Sequence, residues 1–255
     1  LLVALCASLL GISLVLKRFS MIGDGLSHVG FGALAIASVA NIAPLYLAIP
    51  VCIAASFLLL RMSESTRIKG DAAIAMLSAG ALAVGVMVVS MTTGMNTDVY
   101  NYMFGSILSL SREDAILSVA LSAAVLLLFV LFYNRLFAVT FDETFSRATG
   151  IPTRAFNAAL AVLSSVTVVL GMRMMGALLI SSLIIFPVLT AMRVAKRYRT
   201  VTIVSAFVAV AGFLIGMVVS YVFEAPSGAS IVCVNIALFL IFAAAGRVRS
   251  AISRR

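Results

Sequence analysis

Charge is what this chain most lacks. Lys and Arg number 18 and Asp and Glu 9 in 255 residues, 11% in all, while 63% of the residues are hydrophobic. An average soluble protein is about one quarter charged, so too few polar side chains are present to cover a surface facing water. A water-soluble globule is excluded. A spanning helix needs roughly 20 mainly apolar residues, so this length holds about eight or nine spans and no sizeable soluble domain. The expected fold class is all-α, one polytopic membrane bundle over residues 1–255. The chain starts at Leu1 and its first apolar run is short for a span, so a missing N-terminal piece is expected. A signal peptide is not, because Lys17 and Arg18 follow that run instead of preceding it.

Other absences narrow the function. Cys6, Cys52 and Cys233 stand alone inside apolar runs, with no CxxC, and read as small hydrophobes. The 12 Met, among them Met172, Met174 and Met175, follow no regular spacing and read as packing rather than as soft metal ligands. No GxxxxGK[ST] occurs, so this chain carries no phosphate-binding P-loop, and HExxH is missing too. Ser27 and His28 are neighbours, which on a helix point about 100° apart, too divergent for a nucleophile and its base. An aspartyl-protease dyad would need two facing acids, and Asp24 is the one acid that lies inside an apolar run. An enzyme is not the expected class.

The net charge of +9 would suggest nucleic acid in a soluble protein; here it speaks of topology. Apolar runs fall at 1–16, 21–40, 44–60, 71–91, 114–133, 155–172, 176–192, 200–222 and 229–245, with a shorter stretch at 96–110. If 96–110 enters and leaves on one side, every Lys and Arg except Arg112 and Arg173 shares a side. The positive-inside tendency then puts 61–70, 134–154, 193–199 and the tail from Arg247 to Arg255 in the cytoplasm. By the same count Asp24, six residues beyond Arg18, falls near the cytoplasmic end of its span.

Against this apolar background GDGLSH, residues 23–28, stands out, because it joins Asp24 to the single His of the chain. Positions i and i+4 share a helix face with Cβ atoms roughly 5–6 Å apart, so Asp24 and His28 can address one object. A carboxylate in a membrane costs on the order of 3 kcal/mol on insertion scales, and a divalent cation would offset that cost. Carboxylate with neutral imidazole suits zinc, manganese or iron(II), whereas calcium and magnesium prefer oxygen alone. The alternatives are an Asp that stabilises a helix N-terminus and a plain Asp–His hydrogen bond. A two-fold pair of chains would bring two Asp24 and two His28 to one axis, and the small residues Gly30, Gly32, Ala33, Ala35 and Ala37 would allow close approach.

These residues carry a resemblance. LKRFSMIGDGLSHVGFGALAIA (16–37), TDVYNYMFGSILSLSRED (97–114), FDETFSRATGIP (141–152), GALLISSLIIFPVLTA (176–191) and SYVFEAPSGASIV (220–232) stand in the order and spacing of the permease subunit of the zinc/manganese/iron ABC importers, which the chain resembles over essentially its whole length. The resemblance implies a type II ABC importer-like permease in a bacterial cytoplasmic membrane. It implies a second permease subunit, this chain again or a close relative, two cytoplasmic ATP-binding cassette subunits that carry the ATP, and an extracytoplasmic solute-binding protein that delivers the metal. No permanently bound cofactor is implied; the divalent ion is the cargo. Asp24 and His28 match the family's aspartate and histidine at this helix start.

Read by itself, FDETFSRATGIP is a polar turn with acids early, Arg147 late, and Gly150 and Pro152 at its end. In the family this position resembles the coupling helix that sits on the ATPase, so Phe141, Asp142, Glu143, Phe145, Arg147 and Gly150 are expected to dock there. The outer loop with Glu224, Pro226 and Gly228 is expected to be a rigid turn facing the binding protein, although the family more often has Asp at Glu224. Pro187 is expected to kink its helix, with Ser181 and Ser182 meeting freed backbone groups or lining the path. Alternating access powered by the partners is the expected mechanism. An ion-coupled carrier working without ATP is the runner-up, disfavoured by the lack of a repeat with paired broken helices. The Irving–Williams order leans the cargo slightly towards zinc.

Overall fold

A computed structural model describes residues 1–63, 70–91 and 112–252. Ten helices follow one another in these residues, and no strand occurs among them. They are α1 (Leu2–Leu16), α2 (Ile22–Val39), α3 (Pro44–Ser63), α4 (Gly70–Ser90), α5 (Arg112–Phe141), α6 (Glu143–Ala148), α7 (Thr153–Met175), α8 (Ala177–Val194), α9 (Tyr198–Val222) and α10 (Ser227–Ile252). Eight of them are long and apolar enough to cross a membrane; α1, with 15 residues, is shorter. The stretch 96–110 lies outside the described residues.

Most helix ends fall within three residues of the apolar runs, with two exceptions. The loop expected at 134–154 is largely helix, since α5 continues through Asn134 and Arg135 to Phe141. Packing explains the difference. Leu136 and Val139 are buried in the core, Phe137 stacks on Tyr198 at 4.7 Å between ring centroids, and the Arg135 guanidinium lies 5.9 Å over Phe156. The second exception is α10, which runs to Ile252, past the expected end at 245.

The bundle has an inner and an outer set of helices. α2 and α7 are the most enclosed. α2 packs against α3, α4, α7 and α8, while α1 sits among α5, α7, α8 and α9; α8, α9 and α10 form a group on the far side. Close approaches set these contacts: a Cβ on Gly11 would run into the Ile184 carbonyl oxygen, and one on Gly32 would come within 2.8 Å of the Ala81 carbonyl oxygen. Outward-facing Met76, Met87, Leu127, Val130, Phe207 and Leu240 leave an apolar belt on α4, α5, α9 and α10, the surface that lipid wets at no cost.

Neighbouring contacts fix helix direction. Lys17 meets Asn157 near the start of α7, while Gly30 packs on Met172 near its end, so α2 and α7 run the same way. α4 follows them, with Ile74 at Gly25 and Ala81 at Gly32, and α5 opposes them, with Phe132 on Phe156. Ser90 and Arg112 therefore lie at the same face, the parity on which the charge asymmetry depends. α7 and α8 are joined by Gly176 alone, at φ 90 and ψ 157, a conformation open to glycine and to almost no other residue.

Candidate metal site and coupling segment

Asp24 lies in the first turn of α2, where the helix N-terminus favours a negative charge. One turn later His28 brings Nε2 to 3.7 Å from Asp24 Oδ2. From α8 the Ser181 hydroxyl donates to Asp24 Oδ1 at 3.4 Å and also reaches the Ala177 carbonyl oxygen at 3.3 Å. Both contacts to the carboxylate are long, and the side chains stay open, His28 at 25% and Asp24 at 41% exposure. Met21, Asp24 and His28 form the exposed stripe of the first half of α2, and Leu178, Ser181 and Ile185 the matching stripe of α8. The result is a three-residue polar patch on an apolar wall.

The patch lies near the middle of the bundle, not at its cytoplasmic end as the residue count suggested. Asn157 and Met172, the partners of Lys17 and Gly30, are ~22 Å apart along α7, and Asp24 is ~9 Å short of Gly30 along α2. Asn157 lies ~6 Å into α7, so Asp24 is ~19 Å into a helix of ~34 Å. The reason is the α1–α2 connection. α1 stops after 15 residues, and Lys17, Phe19 and Ile22 line a recess with Leu160 and Ala161 of α7. The turn therefore starts inside the wall.

Sequence reasoning paired Asp24 with His28 and left Ser181 as one of two serines that meet freed backbone groups or line the path. The structure separates these two. Ser181 faces Asp24, whereas the Ser182 hydroxyl is buried without a hydrogen-bond partner. Neither relieves the backbone at Pro187. The signal for Ser181 was a lone polar residue at i, i+4 with Ile185 on an outward stripe, which only the direction of α8 makes meaningful. Among the described residues no group of three or more His, Cys, Asp and Glu converges, so one chain brings two such ligands and a hydroxyl.

On the face of the bundle that carries the start of α7, the 141–150 segment divides in three. Phe141 closes α5, Asp142 caps α6 by accepting from the Phe145 N–H at 2.8 Å, and Gly150 ends the segment at φ 83. Phe141 and Phe145 are 70% and 64% exposed. Phe141 is the last residue of the candidate span Ala115–Phe141, and Phe145 follows it in α6. Glu143 pairs with Arg147 at 3.3 Å within α6 and with Lys17 at 3.4 Å. Partial burial works to raise the Glu143 carboxyl, but the Asn157 amide and the Lys17 charge outweigh it and hold the group below its ordinary value.

The outer loop is shorter than expected. α9 ends at Val222 and α10 begins at Ser227, which leaves four residues, with Glu224 at φ 50 and the Ser220 hydroxyl donating to the Ala225 carbonyl oxygen at 2.7 Å. Glu224 and Pro226 are exposed. Gly228 is buried in the first turn of α10 and does not belong to the exposed turn.

A bundle with eight helices long and apolar enough to cross a membrane and a polar patch at mid-depth fits the class of a transport permease. The match is specific: residues 1–246 fit the model of the ABC 3 transport family, and the chain belongs to that family as a multi-pass bacterial membrane permease. It is 28% identical to a manganese transport system membrane protein of Halalkalibacterium halodurans, over 94% of this chain and 82% of that one. It is 30% identical to a protein of Haemophilus influenzae described as a "probable iron transport system membrane protein", over 98% and 92%. In three dimensions it superposes on PsaBC from Streptococcus pneumoniae in complex with Fab at a TM-score of 0.84 and 27% identity, covering 94% of this chain and 87% of that chain.

Proposed function

We propose that this permease imports a divalent transition-metal ion, manganese(II) or iron(II) ahead of zinc, through a path shared by two permease copies and driven by separate ATP-hydrolysing subunits. The half-exposed Asp24/His28/Ser181 patch at mid-depth carries the reading. A charged group on a lipid-facing wall costs on the order of 3 kcal/mol, so such a patch belongs against a second copy or against water. Two copies supply two carboxylates, two imidazoles and two hydroxyls, a set richer in oxygen than zinc sites usually are and suited to manganese(II) and iron(II). The names of two relatives, one for manganese and one for iron transport, support putting those two metals first. Long contacts within each copy suit a site that must also release its ion.

The ATPase subunits dock on α6, with Phe141 and Phe145 as apolar anchors and Asp142 and Gly150 setting the segment's ends. A metal-loaded binding protein docks on the opposite face, where Glu224 and Pro226 lie exposed. Closure of the ATPases rocks the permease copies and changes which side the Asp24/His28 patch faces. The test is cellular manganese, iron and zinc by mass spectrometry in a strain lacking this gene, complemented with wild type, Asp24→Ala or His28→Ala at matched membrane abundance. One metal restored by the wild type alone supports both import and site; full restoration by both variants refutes the site.

A further inference from the structure

Lys17 occupies an unusual position for a lysine. It caps α1, its side chain is 11% exposed, and its ammonium group donates to two acceptors from two other helices, Glu143 Oε2 of α6 and Asn157 Oδ1 of α7. Asn157 Nδ2 in turn donates to the same Glu143 oxygen at 3.2 Å. The three side chains close a triangle whose corners belong to α1, α6 and α7. Burial pushes the Lys17 ammonium below its ordinary value, against the opposing pull of Glu143. Desolvating an ion pair of this kind seldom repays itself in stability, because apolar side chains of the same volume would do as well. A different use has to be sought.

That use is suggested by what lies on either side of Lys17. On one side, α6 packs mainly on its chain neighbours α5 and α7, so Lys17 is its tie to α1. On the other, the chain returns at once into α2 through a taut turn. The N–H groups of Lys17, Arg18 and Phe19 donate to Ser13, Val15 and Leu14, that of Ile22 donates to Phe19, and Arg18 holds φ 63. Asp24 follows two residues after Ile22. Beside this turn is a cavity of about 270 Å³ bordered by Lys17, Phe19, Ile22, Glu143, Asn157 and Leu60. The turn is thus held from below by the triangle and has free space beside it.

We propose that Lys17 and Asn157 are positioning residues that, with Glu143, carry displacement of α6 through the 17–21 turn to the Asp24 end of α2. The inference rests on the proposed docking of ATPase subunits at α6. It gives the drive a short covalent route to the site, seven residues from Lys17 to Asp24, in addition to rigid-body rocking of whole copies. The link acts through Asp24 and touches no cargo.

The test uses the complete transporter, permease with its ATPase and binding protein, in proteoliposomes. Met21, exposed in the turn, is replaced by cysteine in a Cys233→Ser background, since Cys6 and Cys52 are buried. Maleimide labelling of M21C is compared between nucleotide-free and ATP-trapped complexes. Trapping changes the parent's labelling rate by about fivefold or more, and Lys17→Met brings that response within about twofold of none, with ATPase binding and basal hydrolysis retained. Metal moved per ATP falls about tenfold, and Lys17→Arg, which keeps the charge and offers donors to both acceptors, restores most of the response. If Lys17→Met does not assemble, Asn157→Leu is read by the same criteria. A parent-like response in Lys17→Met, or an ATP-hydrolysing parent with no response at Met21, overturns the link. A parent that responds to ATP but takes up no manganese, iron or zinc overturns the cargo and leaves the link standing.

Discussion

Two polar clusters share the short stretch from Lys17 to His28, and they are built in opposite ways. The triangle at Lys17 is closed: its ammonium is nearly buried and each of its three side chains bonds both others. The patch at Asp24 is open, with contacts of 3.4 and 3.7 Å and side chains a quarter to two fifths exposed. Satisfied polar groups fix geometry, whereas groups left short of partners keep their affinity for something else. Seven residues apart, the chain spends its polar side chains first on holding position and then on leaving capacity unused.

The comparison can be broken at its foundation. Gly11→Leu drives a side chain into the Ile184 backbone and separates α1 from α8, so both clusters lose their frame; folded permease recovered from membranes should fall about tenfold or more, read by size exclusion. The open cluster should be sensitive in transport and indifferent in stability. Asp24→Ala and His28→Ala each lower metal uptake at least about tenfold, yet shift the melting temperature by no more than a few degrees, because a long and exposed pair contributes about 1 kcal/mol at most. Equal loss of uptake and of folded protein would show that the pair is structural.

Ser181→Ala should act more gently, raising the metal concentration for half-maximal uptake by about two- to fivefold, since a 3.4 Å hydrogen bond is weak. The smallest effect is in the closed cluster's response to acid. Glu143 is held below its ordinary value, so its bonds contribute fully above the unfolded value of about 4.3 and are lost as pH falls through the lower folded value. The melting-temperature gap between wild type and Glu143→Gln should stay constant from about pH 7 to 5 and close below about pH 4. A gap that closes already at pH 6 would show that Glu143 is not held below its ordinary value.

Much of the bundle was legible because lipid is a demanding solvent. Runs of apolar residues had to become helices with their backbone groups satisfied internally. Asp24 with His28 was legible for the same reason, an acid and a lone histidine being conspicuous among valines and leucines. What stayed hidden depends on direction and level. Asn134 looked like the start of a loop, but the Arg135 guanidinium lies over Phe156 and α5 runs on to Phe141. Asp24 looked shallow because residue counting assumes that turns lie at the membrane surface, and the Lys17–Met21 turn is recessed. Gly228 looked like part of a turn and starts a helix instead. Ser181 could not be told from Ser182 until α8 was oriented against α2.

The single-residue joint at Gly176 sets a lever ratio. With no slack between α7 and α8, relative motion of the two helices pivots there, and displacement grows with distance from the pivot. Ser181 is ~7 Å along α8 from the joint and Val194 ~27 Å. A swing of about 10° carries Val194 by ~5 Å and Ser181 by only ~1 Å. The Val194 end of α8 can swing wide while the hydroxyl beside Asp24 hardly leaves its place, so movement at one end of the bundle need not disturb the polar patch.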